Sequence, residues 1–285
     1  MQVFADVVVF LDGTVSAAKA RKERLDDRLG HEYRSDAEVF VGTPAQLADL
    51  LETTRVKAVY LVPTFGNPGG KTLSEARRRH LVELAKKYDF VILEDDPYGE
   101  ISFTDAVRRP LYQHAVELGC EDQVVYTSTF SKILAPGMRI GWIVMPDWLA
   151  QQTVIVKQAA DLHTNMLSQV ITAEYLAMNR LDSQIALIRE DYRKKCVALA
   201  DALESRLGEH IAFSRPKGGM FLWARFRYSF DTMAWMKTTL ANGVVFVPGE
   251  AFYHDNPDTR TLRLSYSTVS EAGLLTAVER LAASL

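Results

Sequence analysis

The chain has 285 residues, 48% of them apolar and 24% charged, with a net charge of −3. That length favours one large or two medium domains around a sizeable core, and the composition is that of an ordinary soluble globular protein. The slight negative balance gives no electrostatic footprint for nucleic acid or an anionic membrane, and Arg77-Arg78-Arg79 and Arg193-Lys194-Lys195 fall on predicted helices as solvated faces.

At the N-terminus the apolar run Val7-Val8-Val9-Phe10-Leu11 is too short to span a membrane, lacks a basic stretch before it, and ends at Asp12-Gly13. Cys120 and Cys196 have no metal-type spacing, so free thiols in a reducing compartment are expected. Both readings point to the cytoplasm. Phe10-Leu11-Asp12-Gly13-Thr14 resembles a phosphatase motif with two aspartates, but Phe10 occupies the nucleophile position. Residues 19–28 read as a charged helix.

From Ala45 onward, helix and strand patterns alternate. Ala45 to Thr53 reads as a short helix, Lys57 to Val62 as a buried strand, and Thr72 to Tyr88 as a helix opened by a capping box of Thr72 and Glu75. Phe90 to Leu93, Val124 to Tyr126 and Ile140 to Met145 are further strands. This order implies an α/β architecture, a mostly parallel sheet flanked by helices, with chemistry at the carboxyl ends of the strands. After Pro146 one long helical stretch runs towards Leu176, and another spans Leu181 to Leu207. Phe213 to Trp223 reads as two strands joined by the turn Pro216-Lys217-Gly218-Gly219. Val244 to Val247 and Thr261 to Ser265 are short strands, and Ser270 to Leu285 is a final helix. The expected division is a large domain over residues 1–155, with 1–44 unassigned, and a smaller α+β domain over 156–285.

Four segments carry the candidate chemistry. Pro63-Thr64-Phe65-Gly66-Asn67-Pro68-Gly69-Gly70 follows one strand, and alone it reads as a Pro/Gly turn. Glu94-Asp95-Asp96-Pro97-Tyr98 ends the next; three consecutive carboxylates admit a metal reading, but no other metal-type cluster accompanies them. Thr127-Ser128-Thr129-Phe130-Ser131-Lys132, followed by Arg139-Ile140-Gly141-Trp142, sets a lysine in a hydroxyl-rich turn seven residues before an arginine. A lysine amine can form a covalent bond to an aldehyde cofactor, and hydroxyls with a planar guanidinium suit a phosphate. Finally, Leu262-Arg263-Leu264 sets an arginine in an apolar strand, costly unless paired; a structural ion pair is the rival to a ligand-binding role. No G-x-G-x-x-G or phosphate-loop motif occurs, and the six histidines are scattered.

Together these segments resemble the fold-type-I aminotransferases that use pyridoxal 5′-phosphate, in the branch of the 2-aminoadipate and kynurenine enzymes. The resemblance covers residue 45 to the C-terminus. It implies that Lys132 holds the cofactor and moves a proton at the substrate's Cα, and that Asp95, three residues before Tyr98, keeps the pyridine nitrogen protonated. It further implies that Asn67 and Tyr98 reach the cofactor's 3-oxygen, that Thr129, Ser131 and Arg139 hold its phosphate, and that Arg263 grips the substrate's carboxylate, with Asn67 beside it. Gly66 and Gly69 replace the bulkier polar residues usual in the family. The Gly/Ser phosphate loop, ring-stacking aromatic residue and N-terminal arm of the family have no counterpart in residues 1–44, so the chain reads as a shortened member or a fragment. Amino transfer between an α-amino acid and a 2-oxo acid by a homodimer is the expected activity. A carbon–sulfur lyase on the same scaffold, or a non-catalytic cofactor-sensing domain like those of some bacterial regulators, are the alternatives.

Overall fold

The structure, a computed structural model, describes residues 7–11, 47–48, 51–52, 55–105, 108–253 and 256–285. The charged helix expected over residues 19–28 lies outside them. So do most of the helix expected from Ala45 to Thr53, of which residues 47–48 and 51–52 are helical, and Asp12.

Five strands, β1 (Val7–Leu11), β2 (Val56–Leu61), β3 (Val91–Asp95), β4 (Val124–Thr129) and β5 (Gly141–Val144), pair in chain order. β2, β3 and β4 are parallel, and β1 and β5 add antiparallel edges. The sheet is therefore parallel at its centre, where α1 (Glu75–Tyr88) and α2 (Leu111–Leu118) make the crossovers that parallel pairing requires. Leu81, Val82 and Ala85 of α1 and Leu111 and Ala115 of α2 pack with Val59, Leu61, Ile92 and Val124 of the sheet in one buried cluster.

The capping box expected of Thr72 and Glu75 does not form. Ser74 is the N-cap, its hydroxyl accepting from the amide of Arg77, and Thr72 instead receives the amide of Phe65 in the preceding loop. A loop that must be closed competes with the helix for the same hydroxyl. Arg78 is a second correction: Arg79 lies in solvent, but Arg78 is 1% exposed, facing the sheet. No sequence signal marks α2, because it starts after Pro110 with no capping side chain of its own; a carboxylate distant in sequence supplies the cap.

The single helix expected after Pro146 is two, α3 (Asp147–Asp161) and α4 (Met166–Ala177), broken where Leu162 takes a positive φ of 61° and Asn165 caps α4. α5 (Leu181–Leu207), an unanticipated α6 (Thr232–Ala241) and α7 (Glu271–Ala282) pack with a second sheet. Its strands β6 (Ile211–Phe213), β7 (Phe221–Phe226), β8 (Val247–Pro248) and β9 (Thr261–Ser265) are antiparallel in the order β6-β7-β9-β8. The strand expected over residues 244–247 thus shrinks to Val247–Pro248.

The two sheets are joined through the Pro216–Gly219 turn. The amide of Gly219 donates to Ile101 O (2.8 Å), that of Phe103 to Lys217 O (2.9 Å), and the Tyr266 hydroxyl to Gly218 O (2.9 Å). Beside them, Ile101, Ile133 and Ile185 form a third buried cluster with Phe130 and Trp142, which seats the turn after β4 against α5. Among the described residues no helix is long and apolar enough to cross a membrane.

Candidate active site

The carboxyl ends of the three parallel strands lie side by side. Leu61 of β2 pairs with Glu94, and Asp95 of β3 pairs with Thr127 of β4. Side chains alternate across a strand, so Tyr60, Asp95, Thr127 and Thr129 share one face while Glu94, Tyr126 and Ser128 share the other. The Tyr60 hydroxyl donates to Asp95 Oδ2 at 2.6 Å and the Thr127 hydroxyl to Oδ1 at 3.3 Å. Each carboxylate oxygen thus has one donor and keeps lone-pair capacity for another. Tyr60 and Thr127 are absent from the sequence-based site; the Thr127 position follows from strand register, but Tyr60 needed the tertiary structure.

Asp96 is set differently. The Gly99 amide donates to its carboxyl group, while its Oδ1 is buried with no partner among the described residues. Burial pushes its pKa up to about 6 against the pull of Arg78. Tyr98 is buried, its ring edge-on to Phe221 at 6.1 Å. No group of three possible metal ligands occurs among the described residues.

After β4 the chain turns sharply, and the turn is organised by its own hydroxyls. The Ser131 amide donates to Thr129 Oγ1 (3.1 Å), the Thr129 hydroxyl donates to Ser131 Oγ (3.0 Å), and Arg139 Nη1 reaches Ser131 Oγ (3.4 Å) and Pro136 O (3.2 Å). Arg139 itself takes a left-handed φ of 55° at the end of a 3₁₀ turn over Pro136–Met138. Two hydroxyls and an exposed guanidinium therefore converge, with no carboxylate paired to Arg139 among the described residues, which suits an anion. Lys132 lies within this turn, half-buried, and forms no ion pair among the described residues.

The loop after β2 is closed on itself by Leu73 N to Pro63 O (2.9 Å), Gly66 N to Lys71 O (3.0 Å) and Gly70 N to Gly66 O (2.6 Å). Asn67 lies within it, before the cis bond to Pro68. Arg263 of β9 meets it there, donating from Nη1 to Asn67 Oδ1 at 2.6 Å across 196 residues of sequence. Its guanidinium lies over the rings of Phe221 (4.3 Å) and Phe252 (5.0 Å), two residues the sequence reading does not single out. Burial depresses its pKa, and Nε is buried with no hydrogen-bond partner among the described residues. The structural ion pair that could have explained an arginine here is absent among those residues. A cation held between rings with an unspent donor is a ready carboxylate receptor.

Asn67 and Arg263 are thus brought into contact, as are Thr129, Ser131 and Arg139, while Asp95 is bonded to Tyr60 and Thr127. The sequence profile described as Aminotransferase class I and II matches residues 31–281. The chain belongs to that family. The aminotransferase fold is equally plain in three dimensions. The crystal structure of LysN, an α-aminoadipate aminotransferase from Thermus thermophilus complexed with N-(5′-phosphopyridoxyl)-L-leucine, superposes with a TM-score of 0.80 at 34% identity. It shares 85% of this chain, but this chain covers 61% of it. An aromatic-amino-acid aminotransferase of Thermococcus litoralis is 41% identical over 234 residues, 82% of this chain and 55% of the relative. YisV of Bacillus subtilis, described as an uncharacterized HTH-type transcriptional regulator, is 30% identical over 78% of this chain and 44% of its own length. The chain therefore spans about half the length of the relatives it matches, and the profile begins earlier than the motif resemblance, which starts near residue 45. The fold is that of the fold-type-I transferases, as the α/β alternation and the motifs implied.

Proposed function

We propose that this chain carries the catalytic core of a pyridoxal 5′-phosphate-dependent aminotransferase that moves an amino group between an α-amino acid and a 2-oxo acid. The observation that carries the reading is Arg263, a half-buried cation with an unspent Nε, bonded to the Asn67 loop. The residues fit the cofactor: Asp95 offers a hydrogen-bonded carboxylate for a pyridine nitrogen, and Thr129, Ser131 and Arg139 offer donors for a phosphate.

When bound, pyridoxal phosphate supplies an electron sink for negative charge at the substrate's Cα. Around it each residue has its task. Lys132 Nζ would hold the aldehyde and would serve as the base for the proton at the substrate's Cα. Asp95 would hold the proton on the ring nitrogen, and Asn67 and Tyr98 would be the residues to reach the 3-oxygen. Arg263 orients the substrate by its carboxylate, with Asn67 beside it. Aromatic amino acids and 2-aminoadipate, named for relatives, are the first donors to test. On this reading residues 1–155, with 1–44 unassigned, are the cofactor domain and 156–285 the smaller one, in a homodimer in the cytoplasm.

The test is the absorbance spectrum of the purified chain with added pyridoxal phosphate, beside Lys132→Ala. Wild type gains a visible band and exchanges amino groups; the variant loses both. Loss of the proton-transfer group alone costs ~10²–10⁴-fold, and loss of the covalent anchor adds to it. A variant that kept band and turnover would remove Lys132 from the site. Release of pyruvate and ammonia would select the lyase, and a band without turnover would select the sensing domain suggested by the regulator relative.

A further inference from the structure

Arg78 is the largest fully buried side chain among the described residues, a cation inside the layer between the first sheet and its helices. Taking a cation out of water costs several kcal/mol unless its donors are met, so its partners define its task. Nη2 donates to Pro63 O (2.9 Å) and Thr64 Oγ1 (2.6 Å), and Nε to Leu73 O (3.1 Å). These are the two ends of the loop that carries Asn67. Nη1 donates to Arg109 O (3.4 Å) and lies 3.8 Å from Glu94 Oε1. Glu94 is fully buried, immediately precedes Asp95, and accepts the first amides of α2 from Leu111 (2.9 Å) and Tyr112 (3.0 Å).

One guanidinium therefore ties the neck of the Asn67 loop to the strand end that presents Asp95. It does so from the face of the sheet opposite the site, since Glu94 and Asp95 alternate. We infer that Arg78 is a positioning residue, holding Asn67 and Asp95 in a fixed mutual geometry without itself touching ligand. A lysine keeps the charge but cannot reproduce three separate donor directions. The inference rests on the proposed roles of Asn67 and Asp95.

The experiment uses the full chain loaded with pyridoxal phosphate and reads the pH midpoint of its visible band. A donor to the cofactor's 3-oxygen lowers the proton affinity of the nitrogen joined to it, so Asn67→Ala raises the midpoint. Arg78→Lys is expected to raise it too, by about half a pH unit or more, the scale of a lost hydrogen bond to an ionised group. The double variant should fall well short of the sum of the two single shifts, because Arg78 acts through Asn67 as well as through Asp95. Thr64→Val, which deletes one loop acceptor and leaves the buried cation in place, should shift the midpoint in the same direction and covers the case in which Arg78→Lys does not fold. A shifted Asn67→Ala with unshifted Arg78→Lys and Thr64→Val, or additive shifts in the double variant, overturns the inference and spares the site. An unshifted Asn67→Ala, or no band in wild type, overturns the site reading and this inference together.

Discussion

Arg263 shows how a single residue separates a structural from a functional account. A half-buried arginine normally spends its donors on protein groups; here Nη1 is spent on Asn67, Nε has no partner among the described residues, and two rings flank the guanidinium. Arg263→Ala should leave the spectrum of bound cofactor unchanged and raise KM for amino and oxo acids. Truncating one side of a desolvated charge pair costs roughly 2–5 kcal/mol, about thirtyfold or more in kcal-equivalent affinity. Weak cofactor binding with unchanged KM would instead make it a phosphate or structural residue. The adjacent carboxylates give a second residue-scale contrast. Asp95→Asn should slow Cα deprotonation far more than Asp96→Asn, and equal half-reaction rates would contradict the assignment. Asp96 should show itself in stability. Its folded pKa, about 6, lies above the ordinary aspartate value of 3.8, so its favourable contribution is complete below 3.8 and is lost as pH rises through 6. Asp96→Asn should therefore gain on wild type, by roughly 1–3 kcal/mol, between pH 4 and pH 8 in chemical denaturation. A gap independent of pH would show that Asp96 does not titrate there. The spacing of Asp95 to Tyr98 was legible in the sequence; the opposite setting of Asp96 follows from strand alternation and the Gly99 amide, which spacing does not reveal.

At the scale of elements, the site depends on how the Asn67 loop docks against the second sheet. Phe65 takes a left-handed φ of 48° and is buried against the Pro216–Gly219 turn. A methyl group at Gly218 would lie 2.2 Å from Phe65 Cζ and 2.4 Å from Ile101 O. The ring could shift but the backbone could not, so Gly218→Ala should cost about 1–3 kcal/mol, the usual penalty of overpacking, read as a lowered urea midpoint. It should also weaken substrate binding, because the loop bears the partner of Arg263. An unchanged midpoint would mean that the turn moves freely from the loop. The sequence displayed this turn and the main strands, since apolar runs and Gly/Pro punctuation are local signals. It hid α2, whose cap is Glu94, and it misassigned Thr72, whose hydroxyl closes the loop instead of opening α1. Arg78 was hidden for the same reason: three arginines in a row read as a solvated face, and nothing local says that one of them turns inward to meet two loop carbonyls and a buried glutamate.

For the whole molecule, α3 and α4 pose the remaining question. α3 has no buried residue and α4 has Thr172 alone, yet Trp148, Ile155, Leu167 and Val170 stand more than half exposed. A helix with apolar residues open to water is ordinarily covered in its working assembly, and an exposed patch of this extent marks an interaction surface. Ionic groups on the two helices are few, Asp147, Lys157, Asp161 and Glu174, so pairing this surface with a second copy brings little like-charge repulsion. The proposed homodimer is expected to use it. Sedimentation of the purified chain should show self-association at micromolar concentration. The double substitution Ile155→Glu and Leu167→Glu should shift it towards monomer while leaving helix content unchanged, because both side chains already face solvent, at 66% and 68% exposure. A dimer that survives both charges would place the interface elsewhere on the chain. A wild type that stays monomeric would dismiss the homodimer and leave this surface to be covered by a different polypeptide.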